Sequence, residues 1–418
     1  MATTADNRFA LATIRRLMRL LGAHPAHVNS PVALAGAAQL TRDRIRRNGI
    51  DVRLVAGGDG PPAVVAGHGP VAVICYLDDA DANAQQHAGQ PPLFQDSVVF
   101  APGIVRKGGV AAALAYLLEE PNAASLITLV VEADRHQGSH ALAAWLTEHH
   151  KQLRFALWEA VDLPIETPAL FHSACGALTV RVLVTTRNRA IESLYGGVVP
   201  DLGFSLVQAL GSLKSTEQEI RLADFYEQAS LPQTGDLATL NGSAARIADW
   251  VTRSAGVSEN LPAAHVAMGI FVAPSLSIRE LRVDDERPYL PRAAQAVVEL
   301  NLVPGQSVES VLRELTEHFA EKLPQAIIEP LQVREPTEGA ADLDVLRALC
   351  PRVFGAAPGP NPAGLLSTFG IPNIGYAIVS REQPDDLGQI PLSTVQEGAA
   401  LIATVVEEVT RQLSAEHA

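Results

Sequence analysis

The sequence predicts an α/β protein: a doubly wound, mostly parallel sheet domain with an inserted α+β lid. Three observations predict it. Residues 71–76 and 126–131 are continuous apolar runs, the mark of strands buried on both faces of a parallel sheet. Segments with helical spacing alternate with such strands, which argues for helices layered on the sheet. Beyond residue 177 the apolar period drops to two, as in LTVRVLVT at 178–185, so those strands keep one wet face.

The elements follow in order. Residues 9–21 repeat apolar positions at helical spacing and stop before Gly22. A second helix, 32–47, is closed by Asn48-Gly49. Strands are expected at 51–56, 63–66 and 71–76, with Gly57-Gly58-Asp59-Gly60 as a turn. The segment 79–95 is polar, rich in Gln and Ala, and reads as a loop. The Ala-rich stretch 107–118 is a helix, 126–131 a strand, 139–149 a helix and 155–160 a strand. Then 178–185, 276–281 and 293–302 read as strands, and 199–213 and 308–319 as helices. Two helices on an antiparallel sheet make the lid. Residues 330–339 read as the return crossing, 341–354 as a helix, 374–379 as a strand and 394–413 as a closing helix. The expected division is therefore 1–176 and 335–418 for the sheet domain, with the lid at 177–334.

Composition narrows the function classes. A chain of 418 residues, 47% hydrophobic and 19% charged, can bury two cores. Its net charge of −14, with no Lys/Arg-rich run, argues against nucleic acid and anionic membrane surfaces as partners. No stretch of about 18 apolar residues occurs, so no membrane span is expected. Residues 1–6 lack a basic segment followed by an apolar one, so no signal peptide is expected. Cys75, Cys175 and Cys350 are far apart in apolar runs and odd in number. That pattern fits reduced core thiols and a cytoplasmic location. No G-x-S-x-G elbow is present to support a Ser-His-Asp hydrolase.

Five segments carry a resemblance. VAVICYLDDAD at 71–81, APGIVRKGGVAAALAY at 101–116, FALWEA at 155–160, LYGGVVP at 194–200 and PRAAQAVVELNLVPGQ at 291–306 span most of the chain. Together they resemble the di-zinc metallopeptidases of the carnosinase, aminoacylase, carboxypeptidase G and succinyl-diaminopimelate desuccinylase kind. The resemblance implies a sheet domain with an inserted lid and a homodimer formed through that lid. It also implies an active cleft past the carboxyl ends of the strands, the usual place in open α/β sheets.

The same alignment implies that much of the family's chemistry is replaced. The catalytic Glu of the E-G-x-E-E-x-G-S motif falls on Arg135 in VEADRHQGS, and the Glu that binds zinc beside it falls on His136. An arginine is a permanent cation and cannot take a proton from water. The first zinc-binding His falls on Tyr76, and the bridging Asp on Val105, with Arg106 beside it. Asp78 survives, but the resemblance gives it only the task of orienting the missing His. Glu159 is the retained ligand, and the last His falls near Pro384. The lid His falls on Ile191 and the substrate-binding Arg on Asn301. The loop that would cradle a substrate carboxylate is replaced by Pro360-Asn361-Pro362-Ala363-Gly364, whose prolines lack N–H donors.

The expectation is a pseudoenzyme with no cofactor and no zinc centre. It would bind a small amino-acid- or peptide-derived ligand among Tyr76, Asp78, Arg106, Arg135, His136, Glu159, Tyr195 and Asn301, with Arg135, Asp78 and Asp134 as cleft candidates for any chemistry. Arg135 and Arg106 would replace the missing metal charge by pairing with Asp78 and Glu159. Two alternatives stand beside it. One is an enzyme with remodelled amide chemistry, metal-independent or with a single zinc on His136, Glu159 and His140; His136 and His140 stand four apart at a helix start. The other is a structural homodimer that supports a partner protein.

Overall fold

Val71–Tyr76 and Ile127–Glu132 are buried along their whole length, as strands covered on both faces must be. In the computed structural model the described residues are 8–22, 31–58, 60–77, 91–101, 104–133, 138–160, 164–186, 190–256, 261–284, 288–339, 342–379 and 388–416. For residues 31–33, 106 and 416 the description is of the backbone alone.

The elements in chain order are α1 (Leu11–Gly22), α2 (Pro31–Arg46), β1 (Val52–Gly57), β2 (Gly60–Gly67), β3 (Val71–Tyr76), β4 (Leu93–Gln95), β5 (Val98–Phe100), α3 (Gly108–Glu119), α4 (Ala123–Leu126), β6 (Ile127–Glu132), α5 (His140–His149), β7 (Phe155–Glu159), β8 (Ala169–Ala174) and β9 (Gly176–Thr185). There follow α6 (Leu202–Gly211), α7 (Thr234–Ala255), α8 (Ala263–Phe271), β10 (Ser275–Val283), β11 (Ala293–Leu302), α9 (Val308–Lys322), β12 (Ile327–Arg334), α10 (Leu343–Leu349), β13 (Val353–Ala357), α11 (Ala363–Thr368), β14 (Asn373–Ala377), β15 (Gln389–Pro391) and α12 (Leu392–Glu416).

The chain divides into two compact units. The first comprises Met1–Ala174, Pro232–Phe271 and Gly339–Ala418. Its sheet runs β1-β2-β6-β3-β7-β14-β8-β13. The central pairs β6/β3, β3/β7 and β7/β14 are parallel, and so is β8/β13. Helix α3, GGVAAALAYLLE, is apolar all round and is buried from Gly108 to Leu117. With α1 and α12 it covers one face through Ile14, Leu17, Leu114 and Val406, packed on Val73 and Cys75. Helix α5 serves the opposite face. Residues alternate along a strand: Val131 joins the α3 side, whereas Glu132 accepts the Leu142 N–H of α5 at 3.0 Å. A small sheet, β15-β5-β4, completes the unit.

The second unit, Cys175–Leu231 with Val272–Glu338, is an antiparallel sheet in the order β10-β11-β9-β12. Burial alternates strictly along β11, and the inner residues Ala294, Ala296, Val298 and Leu300 pack with Leu206 of α6 and Leu315 of α9. Asp201 caps α6 by accepting the N–H groups of Gly203 at 2.7 Å and Phe204 at 3.1 Å.

Three expectations change. Residues 232–271, placed inside the lid by the sequence, belong to the first unit as the hairpin α7–α8. The hairpin packs against β13, the last strand of the eight-stranded sheet, and Phe271 stacks on Phe354 at 5.8 Å between ring centroids. Covering an edge strand protects its open hydrogen-bonding groups. The first half of the expected return crossing at 330–339 is strand: residues 330–334 close β12, which starts at Ile327 and pairs with β9. Its Pro330 sits at a register shift on an edge strand, where the missing N–H costs no ladder bond. The expected helix 341–354 is a short helix, α10, followed by strand β13. Pro351 forces the preceding Cys350 out of the helical region, to φ −143° and ψ 126°.

Candidate functional site

Four neighbouring strands end together. The register pairs Tyr76 of β3 with Glu132 of β6, and Tyr376 of β14 with Glu159 of β7. All four side chains are buried, with exposures of 1%, 0%, 0% and 6% in that order. Carboxylates that deep need partners.

Glu159 meets its partners on the α3 face. Its Oε2 accepts the Tyr76 N–H at 3.3 Å. A Cβ on Gly109 would overlap its carboxylate, so the carboxylate rests on the first turn of α3, where Gly108-Gly109 leaves room. The positive end of the helix dipole favours an anion there. Lys107, in the turn just before α3, is 1% exposed. Glu132, on the α5 face, holds the first turn of that helix through Leu142. Between them, burial pushes the Cys75 thiol well above its ordinary range, and the Glu159 and Glu132 carboxylates push it further.

The structure brings together part of the expected site. Tyr76 and Glu159 are adjacent. Val105 is half-buried in the turn that leads to α3. Asp78, Asp134, Arg135 and His136 lie outside the described residues, as do Pro384 and the side chain of Arg106. The expected ion pairs of Arg135 and Arg106 therefore fall outside the description. His140 is exposed at the head of α5, on the sheet face opposite to that of Glu159. Tyr195 and Asn301 both belong to the second unit. They do not converge within it. Tyr195 stands by Tyr289 and Leu290, ahead of β11, while Asn301 is near the far end of that strand. Eight residues of strand separate Ala293 from Asn301, roughly 26 Å. Asn301 donates to Ser275 Oγ at 3.0 Å, a bond within the sheet. At Pro360–Gly364, Asn361 turns inward, and its Oδ1 accepts the Ala363 N–H at 3.1 Å to start α11.

Sequence reasoning passed over Lys107, Glu132 and Tyr376. Lys107 and Glu132 lie inside the motif segments, but nothing local marks a lysine or glutamate as buried. Tyr376 becomes part of the site through its register with Glu159, which is a tertiary fact.

This fold, a mostly parallel central sheet with an additional lid domain, is that of the M20 metallopeptidases. A metallo-carboxypeptidase of that family from Sulfolobus solfataricus matches with a TM-score of 0.76 and 15% identity, over 94% of this chain and 98% of that one. Human carnosine dipeptidase 1 matches with a TM-score of 0.70 and 17% identity, over 95% and 96%. The dipeptidase Dug1p of Saccharomyces cerevisiae matches with a TM-score of 0.70 and 13% identity, over 95% and 98%. By sequence, the chain is 23% identical over 230 residues to the probable di- and tripeptidase DUG2 of Saccharomyces cerevisiae. That match takes in 52% of this chain but only 25% of the relative's length. No family model matches the chain.

Proposed function

We propose that this protein is a peptidase-fold pseudoenzyme that binds a small amino-acid- or peptide-derived ligand at the carboxyl edge of its sheet. One observation carries the reading. The retained carboxylate, Glu159, is enclosed by protein: it accepts the Tyr76 N–H and rests on the head of α3. A phenol, Tyr76, stands where the alignment has a His, and an isopropyl group, Val105, where it has the bridging carboxylate. Zinc sites take thiolate, imidazole and carboxylate ligands, and an alkyl group bridges nothing. These residues do not fit a two-zinc centre. The peptide character of the ligand rests on the matched proteins, which are described as peptidases.

The assembly is proposed to be a homodimer through the second unit. Leu194, Val198 and Phe204 there are 69%, 87% and 71% exposed, and a second copy of the unit would cover them. A cytoplasmic, reducing location suits three cysteines that are all free and buried. Among the described residues no helix is long and apolar enough to cross a membrane.

The first test is elemental analysis after exhaustive dialysis, together with assays on alanyl-histidine and N-acetylmethionine. We expect substoichiometric zinc and no chelator-sensitive turnover. Loss of a general base alone typically slows such chemistry by about 10²–10⁴-fold. Two zinc ions per chain, or hydrolysis that a chelator stops, would overturn the pseudoenzyme reading. One tightly held zinc would favour the remodelled enzyme instead. Ligand binding is checked separately, by calorimetric titration with dipeptides.

A further inference from the structure

The first unit has a recess at the opposite end of the strands from the candidate site described above. Phe155 opens β7 and lines this recess, whereas Glu159 closes the same strand at the candidate site. Four strand steps, about 13 Å, separate the two. The recess has a volume of about 460 Å³, within the range of ligand pockets. Its walls are Phe155, Leu346, Leu349, Ile374 and Val409, from β7, α10, β14 and α12. Gly370, held at φ +71°, also lines it, and a Cβ there would meet nothing within 4 Å among the described residues.

The charges in the recess are unevenly matched. Glu408 is already gripped by Arg411, at 2.9 and 2.5 Å, and by Gln412 at 2.9 Å. Asp342 caps α10 by accepting the Asp344 N–H at 2.9 Å. The remaining charged group in the lining is Arg154, whose exposed guanidinium makes no hydrogen bond or ion pair among the described residues. An apolar trough with one uncommitted cation at its rim is complementary to a carboxylate on a hydrocarbon tail. Guanidinium holds a carboxylate through two parallel hydrogen bonds, and the trough removes the tail from water.

We propose that this recess binds a medium-chain fatty acid, its carboxylate on Arg154 and its tail between α10 and α12. The site is independent of the reading given to the Glu159 site.

The test is calorimetric titration of the full chain with decanoate, decanol and decylamine, each below its micelle concentration. We expect one decanoate per chain, with decanol weaker by about two- to fivefold, the size of an exposed ion pair. Decylamine should bind no better than decanol. Arg154→Gln, a change on the exposed rim, should cost decanoate the same factor and leave decanol unchanged. Leu349→Trp should reduce binding of both by filling the trough; circular dichroism checks that each variant is folded. The proposal is overturned if decanoate shows no saturable binding, if decanol binds as tightly, or if Arg154→Gln changes nothing.

Discussion

Glu314 shows how one side chain can make stability depend on pH. It is 6% exposed; the Gln228 amide reaches its Oε1 at 3.4 Å, and its Oε2 has no hydrogen-bond partner among the described residues. Burial raises its pKa above the ordinary carboxylate value; Asp224 and, more weakly, Glu317 add to the rise, and Arg313 opposes it. An acid whose pKa is raised by folding holds its proton more tightly in the native chain than in the unfolded one. Its contribution favours the fold at low pH and is lost as pH rises from the ordinary carboxylate range through the raised native value. Glu314→Gln is therefore expected to melt higher than the parent at pH 7, the two converging near pH 4. Thermal melts across that range check it, and an equal shift at both ends would contradict it.

The thiols give a second prediction at this scale. Burial raises all three pKa values, with Cys175 pushed up to about 12. The thiolate is the reactive form. We expect a disulfide reagent to find no fast-reacting cysteine in the native protein and all three after denaturation. A native thiol that titrates at once would refute the burial argument.

At the scale of elements, α3 is where site and scaffold meet. Its Gly109 has no Cβ because the Glu159 carboxylate occupies that space. Gly109→Ala should cost about 1–3 kcal/mol as an overpacking change. Denaturant unfolding measures it, and an unchanged midpoint would mean that the carboxylate can move away. The α7–α8 hairpin is fastened by His172 Nε2 and Asp236 Oδ2, 3.1 Å apart on side chains that are 11% and 5% exposed. Elements with strong periodicity were legible in the sequence. Val71–Tyr76 and Ala293–Leu302 have the expected bounds, because each lies wholly within one burial pattern. Elements with a proline were harder to read. Pro330 disguised β12, and the turn at Cys350-Pro351 joined α10 and β13 into one apparent helix.

For the whole molecule, the testable consequence is assembly. Light scattering is expected to give about twice 44.3 kDa, and the double variant Val198→Asp, Phe204→Asp should give the monomer mass. A monomeric parent would remove the homodimer from the reading.

By itself the sequence determined which strands are buried on both faces and which on one, because side-chain period records burial directly. It also determined which side-chain types stand at these strand ends and turns: a phenol at Tyr76, an alkyl group at Val105 and a carboxylate at Glu159. Only the tertiary structure decided that residues 232–271 join the first unit, that β12 pairs with β9, and that Glu159 is enclosed by Tyr76 and Gly109. The reason is common to all three. Periodicity reports that a face is covered but not by what, and the covering partner is set by register and packing between residues distant in the chain.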